Sequence, residues 1–355
     1  MNVAFRADAS TQIGTGHFMR CLTLAEELKN QGANALFLSR NLPLYLSDML
    51  VAKEIEYIPL NNDDITNSID ELAHARWLAV SQAQDAKATV RALSGRNFDW
   101  IIVDHYALDF RWESIVRPNV KKIMVIDDLA DRSHDCDILL DQNCYLNMQT
   151  RYNGKVPVQC QLLLGPHYAI LREEFRAVRE QIKIRNGDVK KILVFFGGVD
   201  QRNYTLKTMA ALAAMDVDVS VDVVIGAQHP FVDLIKDACA NYGFICHVQT
   251  ISMAKLMMEA DLAIGAGGSA SWERCCLGLP AIIVAFAENQ IEIASGLASV
   301  GACDYLLGEL STSYIQERVR RFLMSPASLQ LMSCKAHSLV DGWGAKRVRE
   351  YLYEK

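Results

Sequence analysis

Short apolar runs alternate with segments of helical period along nearly the whole chain, the pattern of successive βαβ units and parallel sheets. The first run, Val3–Ala7, predicts a strand. A polar loop, Asp8–Gly16, leads into an amphipathic helix from about His17 to Lys29, where Leu22, Ala25 and Leu28 keep the 3.6-residue repeat. Further strands are expected at Ala35–Ser39, Trp100–Asp104, Lys122–Ile126, Ile138–Leu140 and Leu162–Leu164, with one long helical pattern from about Asn67 to Leu93. A charged, mostly helical stretch, Arg172–Asp188, ends in the turn-prone pair Asn186-Gly187, and the alternation then restarts. Strands are expected at Lys191–Phe196, Val221–Ile225, Phe244–Val248, Leu262–Ile264 and Ala281–Phe286. Helices fall between them near Asn203–Ala214, Phe231–Asn241 and Met253–Glu259. The remainder from Ser311 is helical in pattern, broken by Pro326 and by Gly342 and Gly344.

Two such cycles predict an α/β protein of two Rossmann-like domains facing across a cleft. The expected division is residues 1–185, residues 186–325 and a helical tail at 326–355. A length of 355 residues agrees, since one hydrophobic core seldom spans so many. In such sheets ligands sit beyond the carboxyl ends of the strands.

Composition narrows the function classes. A hydrophobic share of 51% and a charged share of 22% exclude a disordered or fibrous chain. A net charge of −6 disfavours a broad nucleic-acid binder. No apolar run approaches the roughly 20 residues of a membrane span, and the N-terminal residues lack a signal-peptide core, so a cytoplasmic location is expected. The 10 cysteines include no C-x-x-C pair, which fits reduced thiols better than zinc or disulfides. The histidines have no metal-binding spacing, so neither metal nor cofactor is expected.

Four loops carry candidate chemistry. In G-T-G-H-F-M-R, Gly14 and Gly16 precede His17 at a helix start, with Arg20 one turn on. Glycines allow close backbone approach, and a helix N-terminus favours a neutral imidazole able to act as a base. The same histidine would also serve as a helix cap. The loop is neither a Walker A loop nor a full G-x-G-x-x-G. In V-D-H-Y, the run Asp104-His105-Tyr106 closes a strand, where ligand-facing residues lie, although a simple turn would look alike. The third candidate is the pair of Gly-rich turns in the second half: Gly197-Gly198, and Gly267-Gly268-Ser269-Ala270-Ser271 followed by Glu273, with Asn289-Gln290 after the next strand. Backbone N–H groups and hydroxyls there suit a diphosphate, and Glu273 suits a ribose diol. In the fourth, Y-A-I-L-R-E-E-F, Arg172 and Glu174 stand near the expected hinge, though a solvated helix start would read the same. Asp127, Asp128, Asp131 and Asp135 could flank a sugar or be ordinary loop acids.

In order, G-T-G-H-F-M-R, V-D-H-Y, Y-A-I-L-R-E-E-F, F-F-G-G-V-D, G-G-S-A-S-W-E-R-C-C-L-G-L-P and E-N-Q resemble the UDP-sugar hydrolases of pseudaminic acid biosynthesis, over roughly residues 1–300. These act on UDP-2,4-diacetamido-2,4,6-trideoxy-β-L-altropyranose. The second-half turn also resembles the UDP-binding half of the peptidoglycan N-acetylglucosaminyltransferase, of glycosyltransferase-B fold. The resemblance implies metal-free removal of UDP with inversion at C1, for surface-glycan modification; an acidic surface with scattered apolar residues permits a monomer. The resemblance makes His17 the catalytic residue. Tyr106, Glu273 and Asn289 become substrate or nucleotide contacts. Val199 stands where a small hydroxylated residue is expected. An acceptor-dependent glycosyltransferase, a UDP-N-acetylglucosamine 2-epimerase and a nucleotide-sugar sensor are the rivals.

Overall fold

The computed structural model describes residues 1–10, 12–40, 42–60, 70–182, 184–285 and 288–354, with the backbone alone at 288 and 289. The chain divides into two compact units: residues 1–143, 147–170 and 344–355 form the first, and residues 144–146 and 171–343 the second.

The first unit carries strands β1 (Asn2–Ala7), β2 (Asn34–Ser39), β3 (Glu56–Pro59), β4 (Phe98–Asp104), β5 (Val120–Ile126), β6 (Ile138–Asp141) and β7 (Gln161–Leu164). They form one sheet, in the order β3-β2-β1-β4-β5-β6-β7, with every pairing parallel. Alternation along each strand feeds two cores. Val3, Phe5 and Ala7 pack under the helix Gly16–Lys29, while Ala4, Ile101 and Val103 face the helices Gln82–Leu93 and Phe110–Val116.

The second unit carries β8 (Lys191–Phe195), β9 (Ser220–Ile225), β10 (Ile245–Val248), β11 (Leu262–Ala266), β12 (Ala281–Ala285) and β13 (Asp304–Leu307). Its sheet is also all-parallel, in the order β10-β9-β8-β11-β12-β13. Both units are therefore the expected parallel-sheet α/β folds.

Several expectations change. The long helical pattern at 67–93 is a 3-10 turn, Ala75–Trp77, and a separate helix, Gln82–Leu93; residues 67–69 lie outside the described residues. Ser81 causes the break. It is extended, its Oγ accepts from Gln84 N and Gln84 Oε1 accepts from Ser81 N, a capping box that starts a new helix. Among the described residues, the stretch 172–188 is helical only at Glu173–Arg179. The helices Leu44–Ala52 and Glu288–Ser299 and the short strands β3 and β13 carry no expectation from the pattern.

The units divide after residue 170, fifteen residues before the expected boundary, and the tail is shared. Helices Thr312–Leu323 and Pro326–Leu339 belong to the second unit. Helix Gly344–Glu354 packs Val348 and Leu352 into the first. Trp100 Nε1 donates to Leu352 O at 3.0 Å, and Arg349 pairs with Glu27 at 2.6 Å. Glycine is required where that helix starts, because a Cβ on Gly344 would lie 2.2 Å from Ala169 O.

Candidate active site

The carboxyl edge of the first sheet is lined with aspartates. Asp8 follows β1, Asp104 ends β4, Asp127 follows β5 and Asp141 ends β6, all on neighbouring parallel strands. All four are buried, so each must find a partner.

Asp104 organises the candidate residues. His17 is the second residue of helix Gly16–Lys29, and its Nδ1 lies 2.6 Å from Asp104 Oδ1. Arg20, one turn on, donates from Nε to Asp104 Oδ2 at 2.5 Å and from Nη2 to Oδ1 at 2.7 Å. Burial alone would raise the Asp104 carboxyl, but Arg20 and His17 outweigh it and hold the group far below the ordinary range. An ionised carboxylate only accepts, so His17 Nδ1 donates to it, and in the neutral imidazole Nε2 is then the nitrogen with the lone pair.

A second carboxylate closes the cluster. Arg20 Nη1 reaches Asp128 Oδ2 at 3.1 Å, and the Tyr106 hydroxyl donates to Asp128 Oδ1. Burial and that carboxylate push the Tyr106 phenol well up, so it remains a donor. The Tyr106 ring meets His17 edge-on at 4.5 Å, and Trp77 stacks on Tyr106 at 5.4 Å. His74 lies 4.5 Å from Trp77 and 5.2 Å from Tyr106. The imidazole is thus held by Asp104 and bordered by the rings of Tyr106 and Trp77.

His105 departs from the expected ligand-facing position. Its Nε2 lies 3.2 Å from Asp8 Oδ2, within a buried network in which Arg6 bridges Asp8 and Asp85. Of the acids considered as sugar-flanking, only Asp128 joins the cluster. Asp127 and Asp131 pair with Arg132, and Asp135 with Arg117. Gly14, with a φ of +79°, closes a tight loop by donating to Ser10 O at 2.8 Å, and Gly16 opens the helix.

Asp141 is a different case. Burial and Asp128 push its carboxyl well up, whereas Arg132 and His134 overcome burial to hold Asp127 down at about 2. The Tyr152 hydroxyl lies 3.1 Å from a carboxylate oxygen of each. One hydroxyl has one hydrogen, and Asp127 O at 3.0 Å competes for it with the two carboxylates, so Tyr152 bridges the ends of β5 and β6 without serving both acids at once.

In the second unit the Gly-rich turns lie at the ends of β8 and β11. Gly197, with a φ of +96°, and Gly198 follow β8. Two close approaches need glycine nearby: a Cβ on Gly265 would meet Phe195 O at 1.9 Å, and one on Gly226 would meet Gly198 O at 2.5 Å. Gly268 has a φ of +119°, and the helix Ser269–Cys276 begins directly after it. A Cβ on Gly267 would lie 3.4 Å from Gln290 Cβ, so Gln290 does border the turn. The Asn289 side chain lies outside the described residues.

Glu273 accepts from Arg172 Nη2 at 3.2 Å, and Arg172 Nη1 holds Glu174 at 2.6 Å. Burial raises the Glu273 carboxyl, and Arg172 opposes the shift. Ser271 is buried and its Oγ accepts from Arg274 Nη2 at 3.0 Å, so that hydroxyl holds the loop from within.

Residues 192–346 match the glycosyltransferase family 28 C-terminal domain. The chain is similar to the UDP-2,4-diacetamido-2,4,6-trideoxy-β-L-altropyranose hydrolase of Campylobacter jejuni, 27% identical over 85% of this chain and 97% of that one. It is also similar to the spore coat polysaccharide biosynthesis protein SpsG of Bacillus subtilis, 26% identical over 100% and 98%. Against the uncharacterized protein MJ1062 of Methanocaldococcus jannaschii the identity is 25% over 82% of this chain, which spans only 57% of that relative's length. Among solved structures, MurG of Acinetobacter baumannii superposes with a TM-score of 0.66 at 17% identity, covering 100% of this chain and 99% of that one. The fold is therefore glycosyltransferase-B-like. No described helix is long and apolar enough to cross a membrane.

Proposed function

We propose that the chain is a nucleotide-sugar hydrolase that cleaves UDP-2,4-diacetamido-2,4,6-trideoxy-β-L-altropyranose to UDP and the free sugar, with inversion at C1 and without a metal. The observation that carries the reading is the His17–Asp104 pair, a histidine with Nδ1 committed to a buried carboxylate and Nε2 free. The similarity to the Campylobacter hydrolase supports the choice of substrate. His17 Nε2 takes a proton from water as the water oxygen attacks C1. The C1–O bond breaks, and its electron pair leaves with the UDP β-phosphate. A diphosphate leaves as a stabilised anion, so the strong general acid of ordinary glycosidases is not required. Tyr106 and Trp77 form a wall beside the base. The second unit receives the UDP: N–H groups of the turn Gly267–Ser269 and the turn Gly197-Gly198 face the diphosphate, and Glu273 takes the ribose, while Ser271, expected as a direct contact, instead donates its N–H to Gly268 O and shapes the turn. Arg20, Arg172, Glu174, Asn289 and Gln290 complete the proposed substrate contacts, with Gly14 and Gly16 shaping the loop before His17.

A second reading, an acceptor-dependent transferase, is favoured by the family 28 match. The two separate in one assay of UDP release without acceptor and with a chelator present. The hydrolase turns over, and His17→Ala loses about two to four orders of magnitude in rate while still binding UDP. No release by wild type favours the transferase, and full activity of the variant removes His17 from the chemistry.

A further inference from the structure

Five arginines are buried among the described residues: Arg6, Arg20, Arg40, Arg132 and Arg274. The first four each hold at least one carboxylate. Arg274 holds none. Its Nη2 donates to two neutral acceptors, Ala266 O at 2.9 Å and Ser271 Oγ at 3.0 Å, and its buried Nε has no partner. The adjacent thiols of Cys275 and Cys303 are pushed up by burial and stay uncharged. Glu273, the preceding residue, acts favourably on the Arg274 charge but accepts its hydrogen bond from Arg172 and none from Arg274. Burial draws the Arg274 pKa down, yet an arginine remains charged at neutral pH. A buried, uncompensated cation is costly, and folds ordinarily place a carboxylate beside it.

The position of this charge is specific. Nη1 would be 3.3 Å from a Cβ on Gly265, and Nη2 holds the carbonyl of Ala266, so the guanidinium lies against the last residues of β11, where the turn Gly267-Gly268 begins. That loop runs into the N-terminus of helix Ser269–Cys276, and a Cβ on Gly268 would meet nothing within 4 Å. A helix N-terminus, an open glycine and an unmatched buried cation converge on one loop.

We propose that Arg274 is a positioning residue whose charge is fully matched only when an anionic ligand, a nucleoside diphosphate, occupies the turn Gly267–Ser269. The proposal rests on the nucleotide reading above and adds a role for a residue that does not itself touch the ligand. Its charge stabilises the diphosphate through the loop, and its bonds to Ala266 and Ser271 hold the loop in the receiving shape.

The test compares UDP with uridine by calorimetry on wild type, Arg274→Gln and Arg274→Lys. Arg274→Gln removes the charge and keeps an amide donor. UDP affinity is expected to fall about 10- to 100-fold, with uridine affinity within about threefold of wild type. Arg274→Lys keeps the charge and is expected to hold UDP within about fivefold of wild type. Equal losses for UDP and uridine would make Arg274 loop scaffolding alone and overturn the proposal, as would wild-type UDP affinity in the glutamine variant. If the glutamine variant does not fold, the lysine variant decides: retained UDP affinity supports the role, and a loss beyond tenfold overturns it. Wild type that binds neither compound sinks the nucleotide reading itself, and that result precedes any variant.

Discussion

Replacing Asp104 with Asn tests whether the buried carboxylate sets the chemistry of His17. The change is nearly isosteric at a fully buried position, but it exchanges one acceptor for an NH2 donor. Both Asp104 oxygens are in use: Oδ1 serves His17 Nδ1 at 2.6 Å and Arg20 Nη2 at 2.7 Å, and Oδ2 serves Arg20 Nε at 2.5 Å. Arg20 makes two of these three contacts, so it will take the remaining amide oxygen. The NH2 is then left facing His17 and donates to Nδ1. That moves the imidazole proton to Nε2, where it blocks proton acceptance from water. The expected loss is that of general-base catalysis, about two to four orders of magnitude in kcat. Stability should fall by only about 1–3 kcal/mol, less than for an orphaned buried charge, because Arg20 keeps Asp128 at 3.1 Å. UDP release measured from pH 5 to 9, UDP affinity by calorimetry and urea unfolding separate the terms. A variant with kcat within threefold of wild type would refute the reasoning, whatever its stability. A variant that lost UDP affinity in step with kcat would place Asp104 in a binding role instead.

Two further predictions concern the first unit. Asp141 has a folded pKa raised by burial and by Asp128, so the folded state keeps a proton that the unfolded chain releases near pH 4. Its contribution to stability therefore falls as pH rises above about 4, and Asp141→Asn, which mimics the protonated acid, should gain on wild type between pH 5 and pH 8 in urea unfolding; an equal loss at both pH values would contradict this. Gly344→Ala should destabilise the protein by about 1–3 kcal/mol, because the new methyl would overlap Ala169 O and push the C-terminal helix off the first sheet; an unchanged thermal midpoint would show that the helix start relaxes freely.

The repeating cycle was legible because the central strands are buried on both faces and written almost wholly in Val, Ile, Leu, Phe and Ala. Val3–Ala7 and Leu262–Ile264 fall inside observed strands on that account. The edge strands β3 and β13 are four residues each and partly exposed, and carry no apolar run to distinguish them from loop. The helical pattern at 67–93 runs its period across Ser81, whereas the helix itself is Gln82–Leu93, and the Ser-x-x-Gln cap that starts it is present in the sequence. Cooperation between His17 and Asp104 is a different matter. They are 87 positions apart, and what joins them is the parallel pairing of β1 with β4, which brings the end of β4 beside the start of the first helix. An Asp after or at the end of four neighbouring strands was the available signal. Trp77 and His74 carry no such signal, since their segment shares the helical period of the residues that follow. Ser271 suited a phosphate ligand by type, but its inward orientation depends on Arg274, three residues on.

The central claim is that water activated by His17 attacks C1 and displaces UDP. Turnover of the UDP-sugar in 18O-labelled water tests it most directly, with the products followed by NMR and mass spectrometry from the first seconds. The account predicts label at C1 of the free sugar, none in UDP, and the inverted anomer formed first. Label in the β-phosphate of UDP, or the retained anomer formed first, would contradict it.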